Sequence, residues 1–140
     1  ERGTIAVALL MVIVVGLIAG AIAATVAWQS ATVTTDSRAF AAQNMAANAL
    51  TAGREAISTV DPRANPTFAG LPTSEPTWTP GWQDNQQYRW WVSAGAVPSE
   101  VTVTGQGRAG VGSAAVQEYT LTLRYDYNTA RWVPQVLRNP

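Results

Sequence analysis

The chain has 140 residues and few charges: nine Arg are balanced by nine Asp and Glu, so charged residues make up 13% against about 25% in an ordinary soluble domain. Zero net charge provides no basic field for nucleic acid, and no specific nucleic-acid site is evident. Without Cys, His or Lys there are no disulfides, thiolate or imidazole metal sites, catalytic triads or Schiff bases, and the expectation is no enzyme, no metal and no cofactor.

The charges are also unevenly placed. After Glu1 and Arg2 the next is Asp36, and Ile5 to Trp28 is almost entirely aliphatic. As a helix those 24 residues would extend about 36 Å, enough to cross a hydrocarbon core of about 30 Å. A cleaved secretory signal is the competing reading, with Arg2 as basic flank and Ala21-Ile22-Ala23 as a small-residue cleavage site. The stretch is longer than the apolar core of about 7–15 residues that such signals carry. Because the chain begins with Glu rather than Met, an upstream segment is expected to have been removed. Gly16, Gly20 and Ala24 recur every four residues, which places them on one helix face where another helix backbone can come close. Trp28 marks the outer end of the span, at the depth where indole rings favour the interface.

Helix formers continue past the span. Ala42, Met45, Ala46, Ala49, Ala52, Gly53 and Ala56 recur at three- and four-residue steps, a narrow stripe of small side chains suited to close packing. Thr32, Val33, Thr34 and Thr35 are poor helix formers and predict a weak point. A helix continuous from about residue 3 to 59 would be roughly 85 Å long. Asp61-Pro62 ends it.

Residues 61–86 hold five of the eight prolines with Phe68, Trp78 and Trp82, and read as an ordered loop pinned by its aromatics. Thr67, Thr73, Ser74, Thr77 and Thr79, close to those prolines, are candidate O-glycosylation acceptors. Leu71-Pro72-Thr73-Ser74-Glu75 lacks the Thr-Gly and the hydrophobic tail of a cell-wall sorting signal.

From Tyr88 the period becomes two. Tyr88, Trp90 and Val92 alternate with Arg89, Trp91 and Ser93; Val101 and Val103 alternate with Glu100, Thr102 and Thr104. The clearest strand runs from Val116 to Tyr127, with Tyr119, Leu121, Leu123, Tyr125 and Tyr127 on one face. Asn128-Thr129 marks a turn into a last strand, about Arg131 to Leu137, which Pro134 confines to an edge. Gly105, Gly107, Gly110 and Gly112 are expected in the loop between the second and third strands. The expected fold is therefore α+β, a long N-terminal helix whose alanine stripe covers a four-stranded antiparallel sheet. Its parts are an apolar helix (1–30), its amphipathic continuation (31–60), a Pro/Trp-rich loop (61–87) and a β-meander (88–140).

This arrangement resembles the type IV pilins and their pseudopilin relatives, and Ala46 to Ala56 with Ala52-Gly53 is similar to the divergent, minor-pilin-like branch. Members usually carry a hydrophobic first residue and a Glu at the fifth position that neutralises the N-terminal amine of a neighbouring subunit. Here position 5 is Ile5, so the charge-pairing role passes to Glu1 and Arg2. The family's helix-disrupting proline is missing from the apolar segment, leaving Gly16 and Gly20 as the place for any unwinding, and its C-terminal disulfide is impossible. The resemblance implies a single-pass membrane precursor, a prepilin peptidase and a pilus assembly machinery as partners, and a helical homo-oligomer at the cell surface. Filament assembly would then use Glu1, Arg2, Gly16, Gly20 and Ala24. The alternatives are a non-polymerising single-pass membrane protein whose extracytoplasmic β-domain binds a ligand or partner, and a secreted enzyme retained with its leader. The missing His, Cys and Lys weigh against the last.

Overall fold

The computed structural model describes residues 2–83, 85–110 and 115–135. One long helix, α1 (Arg2–Ser58), is followed by five strands: β1 (Thr79–Pro80), β2 (Gln86–Ala94), β3 (Glu100–Ala109), β4 (Ala115–Asp126) and β5 (Arg131–Pro134). The chain divides into two compact units, Glu1–Ser37 and Arg38–Pro140.

In the second unit the strands form one antiparallel sheet in the order β1-β2-β3-β4-β5. The last stretch of α1 lies on it with Ala42, Met45, Ala46, Ala49, Gly53 and Ile57 buried, so the stripe of small residues covers the sheet as its spacing implies. Ile57, Phe68, Val92, Val101, Val103 and Leu123 make the fully apolar centre, with Leu50, Trp90, Leu121 and Trp132 packed around it. The helix stops at Ser58; the Asp61 carboxylate then accepts from the Arg63 amide at 2.9 Å, and Pro62 is buried.

The sheet has five strands where four are predicted. The additional one is β1, two residues inside the 61–87 loop, pairing Thr79 with Tyr88 and Pro80 with Gln87. A strand this short that contains proline has no legible period, and proline is tolerated there because β1 is an edge. The edge position of Pro134 in β5 agrees with expectation, β5 pairing only with β4; residues 136–140, at the end of the predicted last strand, lie outside the described residues.

Gly105 and Gly107 are not in a loop. They are buried inside β3, opposite Tyr119 and Gln117 of β4. A Cβ on Gly105 would stand 2.5 Å from the Leu50 amide nitrogen, and one on Gly107 would collide with the Ala42 carbonyl oxygen and the Ala46 amide nitrogen. Where β3 carries Val103, the helix answers with Gly53, whose added Cβ would lie 2.5 Å from Val103 Cγ1. Helix and strand thus exchange small for large along their contact, which brings the two backbones unusually close. Gly110 does end β3, with φ of 110°, and Gly112 lies outside the described residues.

Leu123 and Tyr125 of the predicted apolar face of β4 are buried and Leu121 is half-buried, whereas Tyr119 and Tyr127 at its ends are exposed. On the opposite face of the sheet, Arg89 Nε donates to Gln106 Oε1 at 2.8 Å and Nη1 to the Pro76 carbonyl at 3.2 Å, while Nη2 pairs with Glu75. The Arg89 and Arg108 guanidiniums stack on the Trp78 ring, 4.1 and 4.4 Å from its centroid. These contacts fasten the loop over the outer face. Phe68, buried in a left-handed conformation at φ of 53°, packs on Trp132 with ring centroids 6.1 Å apart. Trp132 Nε1 donates to the Val60 carbonyl at 2.8 Å. Trp82 departs from the expected pinning role, standing 87% exposed.

The β4–β5 turn is closed by Asp126, whose carboxylate accepts from the Asn128 amide and the Thr129 hydroxyl, both at 2.9 Å. The Asn128 amide above all, then the Thr129 hydroxyl, holds the carboxyl below its ordinary value of 3.8. A depressed folded-state pKa means the carboxylate stabilises the turn above the unfolded value and loses that contribution as pH falls through the folded one. In thermal melts, Asp126→Ala should therefore be less stable than the parent at pH 7, with the two converging as pH drops well below 3.8. A gap that persists unchanged in acid would assign the effect to something other than the carboxylate.

Candidate functional site: the apolar N-terminal helix

The first unit is the stretch of α1 before Arg38. It is the one helix long and apolar enough to cross a membrane among the described residues, and none of that apolar window is buried. Twelve large apolar side chains between Val7 and Val26 are exposed, among them Leu10, Ile13, Leu17 and Ile22. At about 1.5–3 kcal/mol each for removal from water, their exposure corresponds to roughly 20–35 kcal/mol. That exceeds the whole stability of a typical domain, about 5–15 kcal/mol. By length and composition such a stretch could span a membrane.

Gly16, Gly20 and Ala24 all lie in unbroken helix and are exposed, each about 6 Å along the axis from the next. A Cβ on Gly16 or Gly20 would meet nothing within 4 Å, so neither glycine is required by packing inside the chain. The helix is continuous at both positions and shows no unwinding there. It also passes without a break through Thr32, Val33, Thr34 and Thr35. Thr32, Thr34 and Thr35 donate to the carbonyls of Trp28, Ser30 and Ala31 at 2.8–3.0 Å, which pairs their hydroxyls within the helix. Thr25, inside the apolar run, does the same with the Ala21 carbonyl at 2.8 Å and so brings no unpaired hydroxyl to a lipid phase. Trp28 is 71% exposed at the end of the run. Beyond it, outside the apolar stretch, Val33 and Phe40 are also exposed, at 68% and 64%.

Of the predicted assembly residues the structure sets Gly16, Gly20 and Ala24 along one helix. Glu1 lies outside the described residues, and Arg2 is described only as the first residue of α1. Thr67, Thr73, Ser74, Thr77 and Thr79 are exposed, the first four in the loop and Thr79 in β1, so all five hydroxyl positions are accessible. Among the described residues no group of His, Cys, Asp or Glu is placed to hold a metal ion. The exposed Phe40 is a candidate contact that periodicity does not single out, because it stands alone among polar residues. Comparison of the chain with protein-family models, with curated proteins and with solved structures finds no match.

Proposed function

We propose that this chain is a structural subunit of a type IV pilus-like surface filament, held in a membrane as a single-pass precursor and assembled by packing of its apolar helices. The observation that supports this most is an exposed stretch of helix, free of charge from Gly3 to Thr35, in which an added Cβ on Gly16 or Gly20 would meet nothing within 4 Å and Ala24 is exposed. Leaving lipid for a bundle of like helices exchanges one hydrocarbon environment for another, and a small-residue face then gains from close backbone contact. Contacts between non-identical patches need not close on themselves, which lets identical subunits form an open helical polymer. Charges at the start of such a helix, Glu1 and Arg2, would fix register because an unpaired charge inside the bundle is costly. Partners in this reading are copies of the chain, the membrane, a prepilin peptidase and an assembly machinery.

A non-polymerising membrane protein is the second reading, favoured by the self-contained core of the second unit. Negative-stain microscopy of material sheared from cells separates the two: thin filaments that bind antibody to this chain support the first, and their absence selects the second. Within the first reading, Glu1→Ala should reduce filament yield at least severalfold while the melting of the second unit stays unchanged. Normal filament yield from that variant would remove the charge pair from the account.

A further inference from the structure

The second unit carries a shallow groove of about 340 Å³ beside the turn between β1 and β2, at the small end of the range of about 300–1,000 Å³ for small-molecule sites. Its floor is the helix face at Met45 and Ala52, its walls are Pro80, Tyr88 and Trp82, and Asn48 stands at its rim. Trp82 is 87% exposed, and the residues on either side of it are hydrogen-bonded to Gln86. The Gly81 amide donates to the Gln86 carbonyl at 2.7 Å, and the Gln86 amide to the Gln83 carbonyl at 2.9 Å. Gly81 fits closely there, since a Cβ would lie 2.9 Å from Met45 Sδ and 3.0 Å from the Gln86 carbonyl oxygen. The chain therefore presents a large aromatic side chain to water beside a groove.

We infer that this groove binds the neutral pyranose ring of a saccharide. A pyranose presents a face of C–H groups and a rim of hydroxyls. The indole of Trp82 supplies an electron-rich plane for the C–H face, and the Asn48 amide and Tyr88 phenol supply donors and acceptors for the rim. None of the described lining residues is charged, and a lining of amide, phenol and indole groups suits an uncharged ring. The inference is independent of filament assembly, because every lining residue lies in the second unit.

The test uses the full chain in a detergent without a sugar headgroup, since a glycosidic detergent would compete. Methyl β-glucoside, methyl β-galactoside, methyl α-mannoside and maltose are titrated while saturation-transfer NMR and tryptophan emission are followed. At least one of them should receive saturation on its ring C–H protons and shift the emission. Trp82→Ala should weaken that binding about tenfold or more, Trp82→Tyr should retain most of it, and Asn48→Ala should weaken it without changing the melting temperature. No transfer to any of the four probes, or equal binding by Trp82→Ala, overturns the proposal. It is likewise overturned if Trp82→Ala changes only the sedimentation of the chain, which would make Trp82 a contact between copies.

Discussion

Replacing Gly107 by alanine is expected to destabilise the second unit by about 3 kcal/mol or more, the upper end of the cost of overpacking a core. The reason is the identity of the obstructing atoms. A Cβ at Gly107 would collide with the Ala42 carbonyl oxygen and the Ala46 amide nitrogen, both backbone atoms of α1 and neither able to rotate away. The helix would have to lift from β3, separating Ala42, Met45 and Ala46 from the strand they bury. For a unit of this size the melting temperature should fall by about 10–20 °C, measured on the full chain in detergent through tryptophan emission. Gly16→Ala is the matched control: its Cβ meets nothing within 4 Å, so the melting of the second unit should not move. A Gly107→Ala chain that melts with the parent would mean that helix and strand are not in close backbone contact.

The second large effect is expected at Leu17, exposed near the middle of the apolar run. An Asp at the centre of a membrane-spanning helix costs about 2.5–3.5 kcal/mol on insertion scales. Leu17→Asp alone lowers the integration constant on the order of 100-fold yet leaves insertion favourable, because the apolar residues of the run together contribute about −4 to −7 kcal/mol on the same scale. Leu17→Asp combined with Ile13→Asp and Ile22→Asp should exceed that and shift the chain from the alkali-resistant membrane pellet to the soluble or degraded fraction. Gln29→Asp, beyond the span, should stay in the pellet. Unchanged integration of the triple variant would show that residues 5–28 do not cross the bilayer.

Much of the fold is legible in the sequence because its signals are periodic. The charge-free run, the alanine stripe and the alternation in β2 and β4 each repeat over enough residues to fix an element and its buried face. The failures fall where one residue type has two meanings. Gly105 and Gly107 look like loop punctuation, yet they are strand residues emptied of side chain so that Ala42 and Ala46 can approach. The sequence contains both halves of that contact, but only the register of β3 under α1 joins them. Thr32 to Thr35 look like a weak point because β-branched residues have low helix propensity, yet the helix runs through them, with the hydroxyls of Thr32, Thr34 and Thr35 paired to carbonyls four residues earlier. Trp82 illustrates the opposite limit. Beside Pro80 and Gly81 it is indistinguishable from Trp78, and only the structure separates a ring stacked between two guanidiniums from one held out in solvent.

The apolar helix poses a different problem. Its composition suits an apolar environment, and none of its apolar window is buried among the described residues. The candidate assembly face of Gly16, Gly20 and Ala24 is legible from spacing alone because it needs no tertiary contact to define it. The charges at Glu1 and Arg2 are legible only as the sole charges before Asp36.

If copies of the chain polymerise through this helix, as proposed, the absence of cysteine allows a direct measurement. Ile13 and Ala24 share one helix face about 16 Å apart along the axis, so Ile13→Cys combined with Ala24→Cys gives each subunit two cross-linking points in a chain that otherwise has none. Treating intact cells with a short bifunctional maleimide, shearing them and resolving the released chain by denaturing electrophoresis should yield a ladder of trimers and higher species. Monomer and dimer alone, with the chain retained in the membrane fraction, would contradict it.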